Sequence, residues 1–96
     1  MESGNKLQIS EQKLTVANEL GLHARPAALL AQVASRFSSD ITLSSEMNCV
    51  NCKSAIALLM LCAGCGTKAL VHAEGPDAEN AVSEIANLFE AKFNEG

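Results

Sequence analysis

A chain of 96 residues, 48% of them apolar and with a formal net charge of −4, has room for one domain built on one modest core. It contains no Trp, no Tyr and 3 Phe, and its 7 Lys and Arg are scattered, so neither a base-stacking platform nor an anionic membrane or nucleic-acid surface is expected. No segment supplies the roughly 18 apolar residues of a membrane span, and the polar opening MESGNKLQISEQK lacks the apolar centre of a secretory signal, which points to the cytoplasm.

Residues 1–11 are expected to form a flexible tail ahead of a domain covering 12–96. Lys13–Ala17 alternates Leu14 and Val16 with Thr15, the period of a half-buried strand, and Asn18–Gly21 reads as a turn or loop. From Ala24 to Phe37 the residues Leu29, Leu30, Val33 and Phe37 recur at helical spacing, and Ser38-Ser39-Asp40 punctuates the end. Ile41–Ser45 alternates again as a second strand. Asn48–Lys53 reads as a short third strand, joined to the second by a turn near Glu46 and Met47. Ser54 opens a short apolar helix that runs to Leu61 and stops near Gly64 and Gly66. Lys68–Glu74 is a fourth strand. Gly75-Pro76-Asp77 then starts a last helix, with Asp77 as its N-cap and an apolar stripe of Val82, Ile85, Ala86, Phe89 and Phe93. The order βαββαβα fits a small α+β sandwich, with helices on one face of a sheet whose other face meets water.

Chemistry concentrates at the start of the first helix. Pro26 is tolerated only in a first turn, so the helix begins at about Ala24 or Arg25 and His23 lies at or just before its N-cap. The first amides of a helix lack intrahelical acceptors and its dipole makes that end partly positive, which suits a phosphate or carboxylate. Arg25 adds a permanent charge with a donor fork matched to phosphate oxygens. Both influences favour a neutral, nucleophilic imidazole at His23, and the same groups would hold a phosphoryl group once it was attached. Imidazole is also a good leaving group, so the phosphoryl group could move on to another acceptor.

The run Gly21-Leu22-His23-Ala24-Arg25-Pro26-Ala27 resembles the active-site signature of HPr, the histidine phosphocarrier of the bacterial phosphoenolpyruvate-dependent sugar phosphotransferase system. Lys53-Ser54 ahead of an apolar helix is similar to the family's regulatory serine segment. Gly75 before a final amphipathic helix also matches, and the resemblance covers Gln12 to Phe93. It implies an open-faced β-sandwich, four antiparallel strands covered on one face by three helices. It also implies that His23 takes phosphate on its δ nitrogen from phosphorylated enzyme I and gives it to a sugar-specific enzyme IIA. Arg25 would stabilise the phosphohistidine, with Ala24 and Pro26 shaping the anion pocket. Ser54 would be a site for a kinase/phosphorylase dedicated to HPr, and Ala55, Ile56 and Leu59 would form the docking patch. Where enteric members carry lysines on the docking face, this chain has Gln32, Ser35 and Ala57, which weakens steering toward an acidic partner. The family also offers a second role, a regulatory module that controls a transcriptional regulator or other proteins through its phosphorylation state. No cofactor is expected, and nothing demands more than a monomer.

The 4 cysteines form two CxxC pairs, Cys49/Cys52 and Cys62/Cys65, which the HPr pattern lacks. Three readings stand open: free, partly buried thiols; a disulfide or redox pair; or a four-thiolate metal site. The metal reading meets a geometric objection. Residues three apart on a strand point to opposite faces, so Cys49 and Cys52 diverge unless a bulge or turn intervenes. Alternation with Val71 and Ala73 sends His72 to the solvent side of its strand.

Overall fold

The computed structural model describes residues 7–46 and 48–94. Its elements are β1 (Gln8–Thr15), α1 (Ala24–Ala34), β2 (Asp40–Ser44), β3 (Cys49–Asn51), α2 (Ala55–Met60), β4 (Lys68–Gly75) and α3 (Ala78–Glu90), with a closing 3₁₀ turn at Lys92–Asn94. The strands form one sheet in the order β1-β4-β2-β3, and every neighbouring pair is antiparallel. This is the open-faced α+β sandwich expected from the sequence. Met47, placed in the β2–β3 turn by the sequence reading, lies outside the described residues. Among the described residues no helix is long and apolar enough to cross a membrane.

Strand periodicity sorts the two faces. β4 buries Ala69, Val71, Ala73 and Gly75, and β2 adds Ile41 and Leu43. The helices close over that face with Leu30 of α1, Leu58 of α2 and Ile85 of α3, all fully buried. Six residues are too few for a helix to stand alone. α2 therefore depends on its one buried residue, Leu58, whose burial contributes ~1.5–3 kcal/mol.

The N-terminal boundary requires correction. β1 starts at Gln8 rather than Lys13, and Gln8–Glu11, expected in the tail, pair with Gly75–His72 of β4. Hydrophobic alternation misses this half of the strand because its apolar residue, Ile9, faces outward while Gln8 and Ser10 are the more covered side chains. Gln8 turns inward for a reason: its Oε1 accepts the Glu79 amide (3.1 Å) in the first turn of α3. Asp77 holds the N-cap position of α3 but makes no side-chain cap bond there. Its carboxylate instead accepts the Ser38 and Ser39 amides (2.9 Å each) and the Ser39 hydroxyl (2.5 Å), tying the start of α3 to the α1–β2 connection. Those donors, the Ser39 hydroxyl foremost, hold the Asp77 carboxyl below its ordinary value. Gly75 is required beside this junction, since at φ +152° a Cβ would lie 2.4 Å from Ser39 Oγ.

Two further ends differ from the sequence reading. α1 stops at Ala34 rather than Phe37, because the Arg36 and Phe37 amides bond three residues back to Val33 and Ala34 and tighten the last turn. Phe93 is not part of α3. Left-handed backbone at Lys92, Phe93 and Asn94 folds its ring back against Phe89, edge to face at 4.9 Å.

On the solvent face His72 bridges two strands, with Nδ1 2.5 Å from Glu11 Oε2 and Nε2 3.0 Å from Glu74 Oε2. The Glu74 and Glu11 contacts raise its pKa above the ordinary 6.5. A raised histidine stabilises the fold fully below 6.5 and loses that contribution as pH climbs through the higher native value. The thermal midpoint of His72→Ala should therefore fall below that of the native chain near pH ~6 and converge with it by pH ~9. A gap of constant size across that range would contradict the clasp.

Candidate functional site

The β1–β4 ladder continues beyond both strands. The Val16 amide donates to Thr67 O (2.9 Å), the Gly66 amide to Val16 O (2.7 Å) and the Leu22 amide to Ala63 O (2.8 Å). This pairing seats the loop ahead of α1 on the loop after α2. The approach is close enough to demand glycine at position 21, where φ is +72° and a Cβ would sit 2.6 Å from Ala63 O and 2.8 Å from Gly64 Cα. Within the loop, Asn18 is buried; its carbonyl accepts the Gly21 amide (3.0 Å) and its Nδ2 donates to Gly21 O (2.7 Å). Gly21 O also accepts the His23 amide at 3.0 Å.

His23 is the N-cap residue of α1, in extended backbone, with its carbonyl accepting the Ala27 amide at 2.9 Å. Its imidazole makes no cap hydrogen bond, the first turn holds no acidic residue, and Pro26 has no N–H to offer. The Ala24 and Arg25 amides therefore define the positive end of the helix. The His23 ring is half-buried with Nε2 covered by protein, Pro26 is buried, and Arg25 is exposed beside it.

Around the ring lies a shallow depression of about 250 Å³ lined by Leu20, Leu22, His23, Leu59, Cys62, Ala63 and Gly64. The structure thus brings Leu59, named from the sequence, to the histidine. Ile56 is 72% exposed on the same short helix, whereas Ala55 is half-buried against the core. Sequence reasoning missed Met60 (72% exposed) and Leu20 (74%). An apolar side chain in a polar loop, as at Leu20, was the signal available. Ser54 caps α2 by accepting the Ala57 amide on its hydroxyl (3.2 Å). It stands at the end of α2 away from His23, about 8 Å along the axis from Leu59.

All four cysteines are free, and no group of three or more His, Cys, Asp or Glu among the described residues could hold a metal ion. Cys49, in β3, is exposed and Cys52, in the turn just beyond that strand, is fully buried; burial pushes the Cys52 thiol up to about 12. Cys65 turns its Sγ toward Ala17 O (3.8 Å), while Cys62 lines the depression. Neither CxxC pair is joined by a disulfide.

The family model described as the PTS HPr component phosphorylation site matches residues 10–91. The phosphocarrier protein HPr of Treponema pallidum is 48% identical over 80 residues, covering 83% of this chain and 91% of that one. Among solved structures, HPr of Thermoanaerobacter tengcongensis superposes with a TM-score of 0.87 at 40% identity, covering 91% of this chain and 98% of the other. The Bacillus subtilis catabolite repression protein Crh, solved as a dimer with a swapped domain, reaches 0.70 at 38% identity, covering 84% and 93%.

Cys62 follows Leu61, the C-cap of α2, with φ +55°, the left-handed position that most often ends a helix on glycine. A side chain there costs ~1–2 kcal/mol, partly offset by the entropy a glycine loses on folding. Cys62→Gly should raise the free energy of unfolding in urea by ~0.5–1 kcal/mol. A less stable variant would show that the thiol makes packing contacts that outweigh the strain.

Proposed function

We propose a phosphocarrier role for this chain, which belongs to the HPr family of histidine phosphocarriers. In this reading His23 accepts a phosphoryl group from phosphorylated enzyme I, itself charged from phosphoenolpyruvate, and passes it to a sugar-specific enzyme IIA. The observation that carries it is the half-buried His23 ring with Nε2 covered, set at the positive end of a helix whose first turn holds no acidic residue. With Nε2 covered by protein, this reading takes Nδ1 as the nitrogen that meets the reagent.

The chemistry follows from that placement. The Nδ1 lone pair attacks phosphorus, an N–P bond forms as the donor's bond to phosphorus breaks, and Nε2 carries the ring proton. The charge delivered meets the Ala24 and Arg25 amides, with Pro26 holding the turn open and the Arg25 guanidinium free to close on the phosphate. Reversal onto an enzyme IIA acceptor needs only in-line alignment, since such transfers depend chiefly on positioning and charge.

Docking would use Leu20, Ile56, Leu59 and Met60, with Ala55 supporting the patch from the half-buried side. A patch of this kind beside a reactive group marks an interaction site. Ser54 abuts it. Phosphorylation there by an HPr kinase/phosphorylase would set ~2 negative charges at the α2 N-terminus, tolerated by the helix yet adverse to an apolar or acidic partner. The protein would act as a cytoplasmic monomer. The likeness to the catabolite repression protein Crh favours a second reading, in which the phosphorylation state controls a transcriptional regulator.

With labelled phosphoenolpyruvate and enzyme I from the same organism, the native chain should take up acid-labile phosphate and His23→Ala none. Arg25→Ala should be labelled ~10-fold more slowly, or worse, as expected when a charge-assisted bond of 1.5–3 kcal/mol is lost. Labelling of His23→Ala at the native rate would overturn the assignment. Transfer onward to enzyme IIA separates the carrier from the regulatory reading.

A further inference from the structure

We propose that Asn18 is a positioning residue for phosphoryl transfer at His23, acting through the carbonyl of Gly21; the proposal rests on the phosphocarrier reading above. Asn18 is only 2% exposed, one of two polar residues buried in the described structure. A buried amide is tolerated where it is hydrogen-bonded, so its place in the core is set by what it bonds. Its Nδ2 donates to Gly21 O at 2.7 Å. That oxygen is also the acceptor of the His23 amide at 3.0 Å. One carbonyl is thus held by two donors, one from a buried side chain and the other from the backbone of the reacting residue.

The arrangement matters because the His23–Gly21 bond spans only two residues. Such tight turns are bent and weak by themselves. The Asn18 amide fixes the carbonyl plane from the other side, and the Gly21 amide, bonded to Asn18 O at 3.0 Å, fixes it along the chain. Gly21 cannot drift outward without breaking these bonds, nor inward without meeting Ala63 and Gly64. His23 is left with one backbone setting, φ −82° and ψ −166°, at the N-cap of α1.

The test compares the full-length native chain with Asn18→Ala, Asn18→Asp and Asn18→Ser, each first confirmed folded at the assay temperature by its thermal melt. Asn18→Asp keeps the shape but replaces the donor with an acceptor aimed at Gly21 O. Asn18→Ser is the mildest change and keeps a hydroxyl donor. Initial rates of labelling by phosphoenolpyruvate and enzyme I, as the carrier concentration varies, give kcat and KM. The expected result is a kcat lowered ~10-fold or more for Ala and Asp with KM within ~2-fold, since small displacements of a reacting group cost that much. Asn18→Ser should recover part of the loss, and the phosphohistidine of Asn18→Ala should hydrolyse at a rate different from native. Folded Ala and Ser variants with native kcat would overturn the positioning role, as would a loss confined to KM or to the unfolded fraction. If only Asn18→Ser folds, its kcat alone decides. A native chain that takes no label overturns the phosphocarrier reading itself, and this proposal with it.

Discussion

The site depends on one backbone constraint, the continuation of the β1–β4 pairing into the loops beyond it. Three main-chain bonds, Val16 to Thr67, Gly66 to Val16 and Leu22 to Ala63, carry the register of the sheet to the edge of α1. They decide that the N-terminus of α1 lies against the C-terminal end of α2. Main-chain bonds of this kind contribute ~1 kcal/mol each, but their larger effect is geometric, since each fixes the approach of two loops otherwise free to diverge. Gly21 is the consequence: backbone passing this close to Ala63 and Gly64 leaves no room for a side chain.

From that contact the chemical character of the site follows. α1 supplies a positive end with no carboxylate in its first turn, and the loop supplies a histidine whose ring is half covered. α2 supplies an apolar surround in Leu59, with Ile56 and Met60 exposed beyond it. A charged phosphoryl group would be held by amides and a guanidinium while a partner covered the apolar rim and excluded water. The opposite sheet face carries a different task. There Glu11, His72 and Glu74 link β1 to β4, securing the same pair of strands whose extension builds the site.

Much of this was legible in the chain. The alternation of β4 gave that strand nearly to the residue, and the stripe of α3 gave its start and its buried face, because burial of one face wrote the period plainly. Pro26 fixed the start of α1, and with it the place of His23. What could not be read depends on contacts between distant segments. The first half of β1 turns Gln8 and Ser10 inward and Ile9 outward, the reverse of a hydrophobic pattern, because the partner of Gln8 is the Glu79 amide. Asp77 resembled a cap in sequence, yet its carboxylate serves Ser38 and Ser39 from across the molecule. Asn18 read as a turn residue, and nothing local announced that its amide would hold the carbonyl bonded to His23. The CxxC spacing left three readings open, and the structure shows four free thiols, Cys52 buried and the other three exposed.

The central claim is the proposal that His23 takes the phosphoryl group on Nδ1, with Nε2 covered by protein. The most direct test is a long-range proton–nitrogen NMR correlation of the His23 imidazole before and after phosphorylation by enzyme I and phosphoenolpyruvate. The account predicts that the Nδ1 resonance alone moves to the position of a phosphorylated nitrogen, with Nε2 keeping its proton. A phosphoryl group on Nε2, or on any residue other than His23, would contradict it.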